Sequence, residues 1–154
     1  MNRNEPASQT TGARTLSRFA TRVQQALDIH DEVNICITSN REMQDLNRRF
    51  RKKNKPTDVL TFPSDSKGVA GDIAISLEIA AANAAELGHS LATEVKVLIL
   101  HGMLHLAGYD HQIDGGEMQA REAELRKTFK LPVGLIERNH PAAAKTTRRG
   151  GRRA

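Results

Sequence analysis

Three of the chain's six histidines fall within one eleven-residue stretch, His101-Gly102-Met103-Leu104-His105-Leu106-Ala107-Gly108-Tyr109-Asp110-His111. A helix over residues 91–107 would put His101 and His105 one turn apart on the same face. Gly108 accepts the left-handed conformation that commonly closes a helix, so the chain can turn there and bring His111 toward the other two. Three neutral imidazoles around one point, with a fourth position open to water, describe a catalytic rather than a structural zinc site. One Zn2+ per chain is therefore expected, held by His101, His105 and His111. A lone histidine on an apolar helix is ordinarily a core residue; three at intervals of four and six, with a glycine at the bend, are not. His30, His89 and His140 fall in predicted loops or the tail and read as solvated.

The spacing His-x3-His-x2-Gly-x2-His matches the zinc helix of metzincin proteases. In those enzymes a glutamate follows the first histidine and acts as general base. Here that position is Gly102, which cannot move a proton, so a peptidase would keep its metal and lose its mechanism. Asp110, Asp114 and Glu117 lie nearby, and Asp110 is expected to orient a ligand histidine by hydrogen bonding.

A second concentration of chemistry lies upstream. Between Asn47 and Lys55 stand Arg48, Arg49, Arg51, Lys52, Lys53 and Lys55, with no acid among them. That density can hold a phosphate backbone. The overall charge of +5 says less, because Lys145, Arg148, Arg149, Arg152 and Arg153 in the tail account for all of it.

These groups need a scaffold, and 154 residues suffice for one domain with a real core. With no Trp, one Tyr and four Phe, that core must be mainly aliphatic. Residues 1–13 are polar and aperiodic and are expected to be disordered. Leu16 to Ile29 has helical apolar spacing, and the alternation of residues 32–38 marks a half-buried strand. A helix capped at Ser39 or Asn40 follows, with Met43, Leu46 and Phe50 as its apolar face. Strands over 59–62 and 69–76 flank a turn at 65–68. Helices are expected over 77–87, 91–107 and 117–129, the second apolar around much of its circumference and so central. The domain is expected to span 14–138, with 139–154 a basic, disordered tail. Such alternation predicts an α/β (α+β) domain, a small mixed sheet packed by about five helices, with the zinc site on the central helix.

Cys36 is the single cysteine, which excludes an internal disulfide and suits a reducing setting; it is expected to be buried in its strand. No run of about eighteen apolar residues suggests a membrane span. The N-terminus has no apolar segment behind its charges, so it does not read as a secretory signal, and a cytoplasmic location is expected.

Four blocks taken together resemble the YbeY family of bacterial metal-dependent endoribonucleases. They are the histidine stretch; Leu46-Asn47-Arg48-Arg49-Phe50-Arg51 with Lys55-Pro56-Thr57-Asp58-Val59-Leu60-Thr61-Phe62-Pro63; Gly71-Asp72-Ile73-Ala74-Ile75-Ser76; and Asp114-Gly115-Gly116-Glu117-Met118. The resemblance implies zinc on the three histidines and single-strand-specific RNA cleavage. It also implies maturation of ribosomal RNA, notably the 3′ end of the small-subunit RNA, and late ribosome quality control. The family's functional arginine falls on Arg51, beside Phe50 where the family often has tyrosine; Thr61 stands where serine is more usual. Arg51 and His101 are thus the expected catalytic residues, with Arg48, Arg49, Lys52, Lys53 and Lys55 expected on the RNA backbone. The expected partner is the small ribosomal subunit, with protein partners left open. A zinc metalloprotease-like hydrolase and a non-catalytic ribosome assembly factor are the rival readings.

Overall fold

The computed structural model describes residues 7–52, 57–110 and 113–139. Its elements run α1 (Ala7–Ala26), β1 (Glu32–Thr38), α2 (Asn40–Arg51), β2 (Val59–Pro63), β3 (Val69–Ser76), α3 (Leu77–Leu87), α4 (Leu91–Leu106), α5 (Glu117–Thr128) and α6 (Leu135–Asn139). Helix α1 starts within the stretch expected to be unstructured, well ahead of Leu16. Helix α6 lies just beyond Pro132 and Gly134, in a stretch for which the periodicity predicts no helix.

Local chemistry explains the boundaries. Ser39, Ser76 and Ser90 each accept a backbone N–H from the first turn of the helix they precede. Helix α3 stops at Gly88, whose φ of 77° is left-handed. At the end of α4 the Gly108 amide donates to the His105 carbonyl and the Tyr109 amide to that of Leu104. Gly108 has the positive φ of 105° that this closure requires.

The three strands lie in the order β1-β3-β2, with β1 parallel and β2 antiparallel to β3. The mixed sheet and helical layers make a single α+β domain. Strand β3, in the middle, is buried on both faces: Ile73 and Ile75 enter the main core, while Ala74 packs with Met43 of α2 and Leu60 of β2. On the main-core side lies α4, which touches α1, α3, α5, α6, β2 and β3. Its residues Val95, Val97, Leu98, Ile99, Leu100, Met103 and Leu104 are all buried, as expected of a central helix.

Two side chains depart from the expected pattern. Cys36 is exposed rather than buried, because β1 is an edge strand and the residue lies outside the cluster of Met43, Leu60 and Ala74. Phe50 continues the apolar stripe of Met43 and Leu46, but it sits in the last turn of α2 and is 58% exposed.

Gly102 has a structural reason to be glycine. A Cβ there would stand 2.9 Å from Cδ1 and 3.0 Å from Cγ2 of Ile73, so bare backbone lets α4 settle onto β3. Gly102→Ala should therefore destabilise the domain by about 1–2 kcal/mol, an overpacking cost partly offset by alanine's helix propensity. An unchanged urea midpoint would show that Ile73 yields freely.

Candidate active site

The C-terminal half of α4 faces the outer edge of β2, and a cleft of about 470 Å³ lies between them. Its wall includes His101, His105, Gly108, Tyr109 and Asp110 from α4 and its exit, Val59, Thr61 and Pro63 from β2, and Arg51 from α2. Two expected site residues on one helix and a third from a separate helix thus converge on one concavity.

The histidines are held in defined orientations. Their ring centroids are 4.8 Å apart at an interplanar angle of 78°. His101 is 7% exposed, and its Nδ1 lies 3.1 Å from Oε2 of Glu122, which is itself 1% exposed. His105 Nδ1 lies 3.1 Å from the Tyr109 carbonyl, which the turn at Gly108 brings back over the helix end. An acceptor opposite Nδ1 places the proton there and leaves Nε2 with its lone pair, the form in which imidazole ligates a metal. A buried carboxylate behind one ring and a carbonyl behind the other make a donor set suited to a borderline-soft divalent cation.

Glu122 is the site residue that the sequence pattern did not single out. It lies on the α5 face that buries Met118 and Leu125, a carboxylate interrupting an apolar stripe. Such a group needs partners, and it has two: His101 on Oε2 and the Ile136 amide, which donates to Oε1 at 2.9 Å. Gly134 makes room for it, since a Cβ there would lie 2.6 Å from Oε1. Glu94 on α4 shows the same signature. Fully buried, it accepts from Arg138 Nη1 at 2.7 Å and pairs with His89 Nε2 at 2.8 Å. His89, expected to be solvated, is thus a packed partner. His30 is exposed beside Asp28, as its loop position suggested.

Arg51 donates from Nη2 to the Thr61 carbonyl at 2.9 Å, which fixes the guanidinium at the β2 edge. Arg48, Arg49 and Lys52 are exposed at the end of α2, where both arginines pair with Asp45. Exposed pairs of this kind contribute little and are readily exchanged for another anion. Asp110 lines the cleft, whereas Asp114 accepts the Gly116 and Met118 amides at the start of α5, and Glu117 accepts that of Gly115. Burial raises the Asp58 carboxyl above its ordinary range; His101 and the Val59 amide draw it back, and Glu94 pushes it further up. His111, Lys53 and Lys55 lie outside the described residues. Among the described residues, no three His, Cys, Asp or Glu side chains are grouped to hold a metal.

A family model described as endoribonuclease YbeY matches residues 2–130. The endoribonuclease YbeY of Koribacter versatilis is 54% identical over 135 residues, covering 88% of this chain and 89% of that protein. That of Solibacter usitatus is 47% identical, covering 80% of this chain and 83% of its own. The solution structure of a Thermotoga maritima protein matches 97% of this chain and 96% of its own, at 26% identity and a TM-score of 0.57. With a family model spanning most of the chain and relatives this similar, the chain belongs to the YbeY endoribonuclease family.

Proposed function

We propose that this protein is a zinc-dependent, single-strand-specific endoribonuclease that matures ribosomal RNA, including the 3′ end of the small-subunit RNA, and takes part in late ribosome quality control. The observation that carries this reading is the meeting of His101, His105 and Arg51 in one cleft from two separate helices. His101, His105 and His111 would hold the ion, with Glu122 and the Tyr109 carbonyl behind the first two. When bound, the ion supplies Lewis acidity toward a phosphate oxygen.

The chain's own groups supply the rest. Cleavage of the RNA backbone passes through a state with added negative charge on the non-bridging oxygens. Arg51 is suited to that charge, because its hydrogen bond to Thr61 holds a planar cation at the cleft wall without reorganisation. Glu122 keeps the His101 ring from rotating and its proton on Nδ1. Arg48, Arg49 and Lys52, with Lys53 and Lys55 following in sequence, support binding of the backbone beyond the cleft. A small-subunit substrate implies work in the cytoplasm, and among the described residues no helix is long and apolar enough to cross a membrane. The protease alternative is disfavoured, since position 102 packs against Ile73 and leaves no place for a carboxylate base.

The test is cleavage of three substrates: a labelled single-stranded fragment from the small-subunit RNA 3′ end, the same fragment annealed to its complement, and casein. Cutting of the single strand alone, abolished by chelator and restored by zinc, is expected. Casein cutting, or RNA bound and never cut by zinc-loaded protein, would overturn the reading. A smaller effect is expected at the support behind the ligand. Glu122→Gln should weaken zinc binding about 10- to 100-fold while leaving the RNA affinity of the metal-free protein unchanged. Competition against a chelating dye reads the first quantity, and an unaltered zinc affinity would remove Glu122 from the site.

A further inference from the structure

The phenyl groups of Phe50 and Phe62 form an edge-to-face pair, with ring centroids 5.3 Å apart and an interplanar angle of 69°. Phe19 and Phe129 make a closely similar pair, at 5.4 Å and 72°, but inside the core, where Phe19 is 3% exposed. Phe50, by contrast, is more than half exposed in a protein with only four phenylalanines.

A single exposed apolar side chain is usually of no consequence. The surroundings of this one set it apart. Phe50 directly precedes Arg51, and Phe62 stands between Thr61 and Pro63; all three of those neighbours line the cleft. Successive strand residues face opposite sides of a sheet, so Phe62 turns to the α2 side while Thr61 and Pro63 face the cleft. The aromatic pair therefore lies just across the β2 edge from the histidines. The Arg49 guanidinium lies over one face of the Phe50 ring, 5.4 Å from its centroid, so a base would stack on the other, and Arg48, Arg49 and Arg51 share the last turn of α2.

We infer that Phe50, backed by Phe62, is a stacking platform for one unpaired base of the RNA whose backbone crosses the cleft at Arg51. This rests on the RNA-binding part of the nuclease reading, not on cleavage itself, and adds a specificity determinant to it. An unpaired base has a free π-face, and stacking on an aromatic ring is a sequence-tolerant source of affinity. In a duplex the base faces are already stacked on one another, so none is available to Phe50. Arg49 provides a cation beside the same nucleotide. Preference for single strands would then come from the protein surface as well as from access to the cleft.

The test measures binding of a fluorescent single-stranded octamer to the full chain in chelator, so that nothing is cut. Phe50→Ala should weaken binding about tenfold, and Phe50→Trp should bind at least as tightly as the parent. The slope of log Kd against log salt should not change with Phe50→Ala, because no charge is lost. Placing one abasic nucleotide at each position in turn should show a single position with a comparable penalty in the parent and none in Phe50→Ala. Unchanged affinity in Phe50→Ala, an abasic penalty that persists in it, or equal weakening toward duplex RNA would overturn the platform. A surface that serves a protein partner would give the first of these. Thermal melts of both variants check folding. Binding that depends on Phe50 in a protein that never cuts RNA would sink the nuclease reading and leave this one standing.

Discussion

His101→Ala is expected to lower cleavage of single-stranded RNA by about a thousandfold or more and to take zinc from about one ion per chain to almost none. On the proposed ligand set, two histidines would not hold the ion as three do, and with the metal would go its share of the charge stabilisation. His105→Ala should lose as much activity, and the double variant scarcely more, because the ligands act as a unit. Stability should separate the two substitutions. Removing His101 strands the buried Oε2 of Glu122 without its imidazole donor, which costs about 1–3 kcal/mol. Removing His105 frees a backbone carbonyl at the turn beside the cleft, where water can take its place. The metal-free His101→Ala protein should therefore unfold at lower urea than His105→Ala. Elemental analysis showing undiminished zinc in either variant would remove that residue from the ligand set.

Arg51→Ala should reduce kcat by about 100- to 1000-fold with zinc content unchanged. The guanidinium is placed by the Thr61 carbonyl and, in the proposed role, would contribute most when negative charge grows on the phosphate, so KM should move far less than kcat. Arg51→Lys should recover only part of the loss. An ammonium keeps the charge but cannot hold Thr61 and a phosphate with the same planar fork. Equal loss in kcat and zinc content would mean that Arg51 supports the metal site and does not act on the substrate.

Much of this site could be read from residue spacing. Two histidines four apart on an apolar helix, and a glycine at its end, gave the ring pair and the turn that carries the Tyr109 carbonyl. Ser39, one of the two residues expected to cap α2, does so; the caps at Ser76 and Ser90 became visible only in the structure. Glu122 and Glu94 escaped because hydrophobic periodicity identifies a buried face without saying which element covers it. Their meaning depends on Ile136, Arg138 and His89, which only the packing of α4, α5 and α6 brings together. The exposure of Phe50 and Cys36 has a related cause. Alternation or helical spacing assigns a residue to a face, but the width of the sheet decides whether anything lies opposite, and three strands leave both residues uncovered.

The placement of Arg51 also bears on how this sheet avoids growing. The outer side of β2 is a sheet edge, and such edges recruit strands from other molecules. Here the guanidinium occupies the Thr61 carbonyl, and Pro63 at the end of the strand has no amide hydrogen to offer. A neighbouring chain seeking to extend the ladder meets a blocked acceptor, a missing donor and a positive charge. The guanidinium proposed to face the phosphate would thus also discourage intermolecular β-pairing at this end of the sheet.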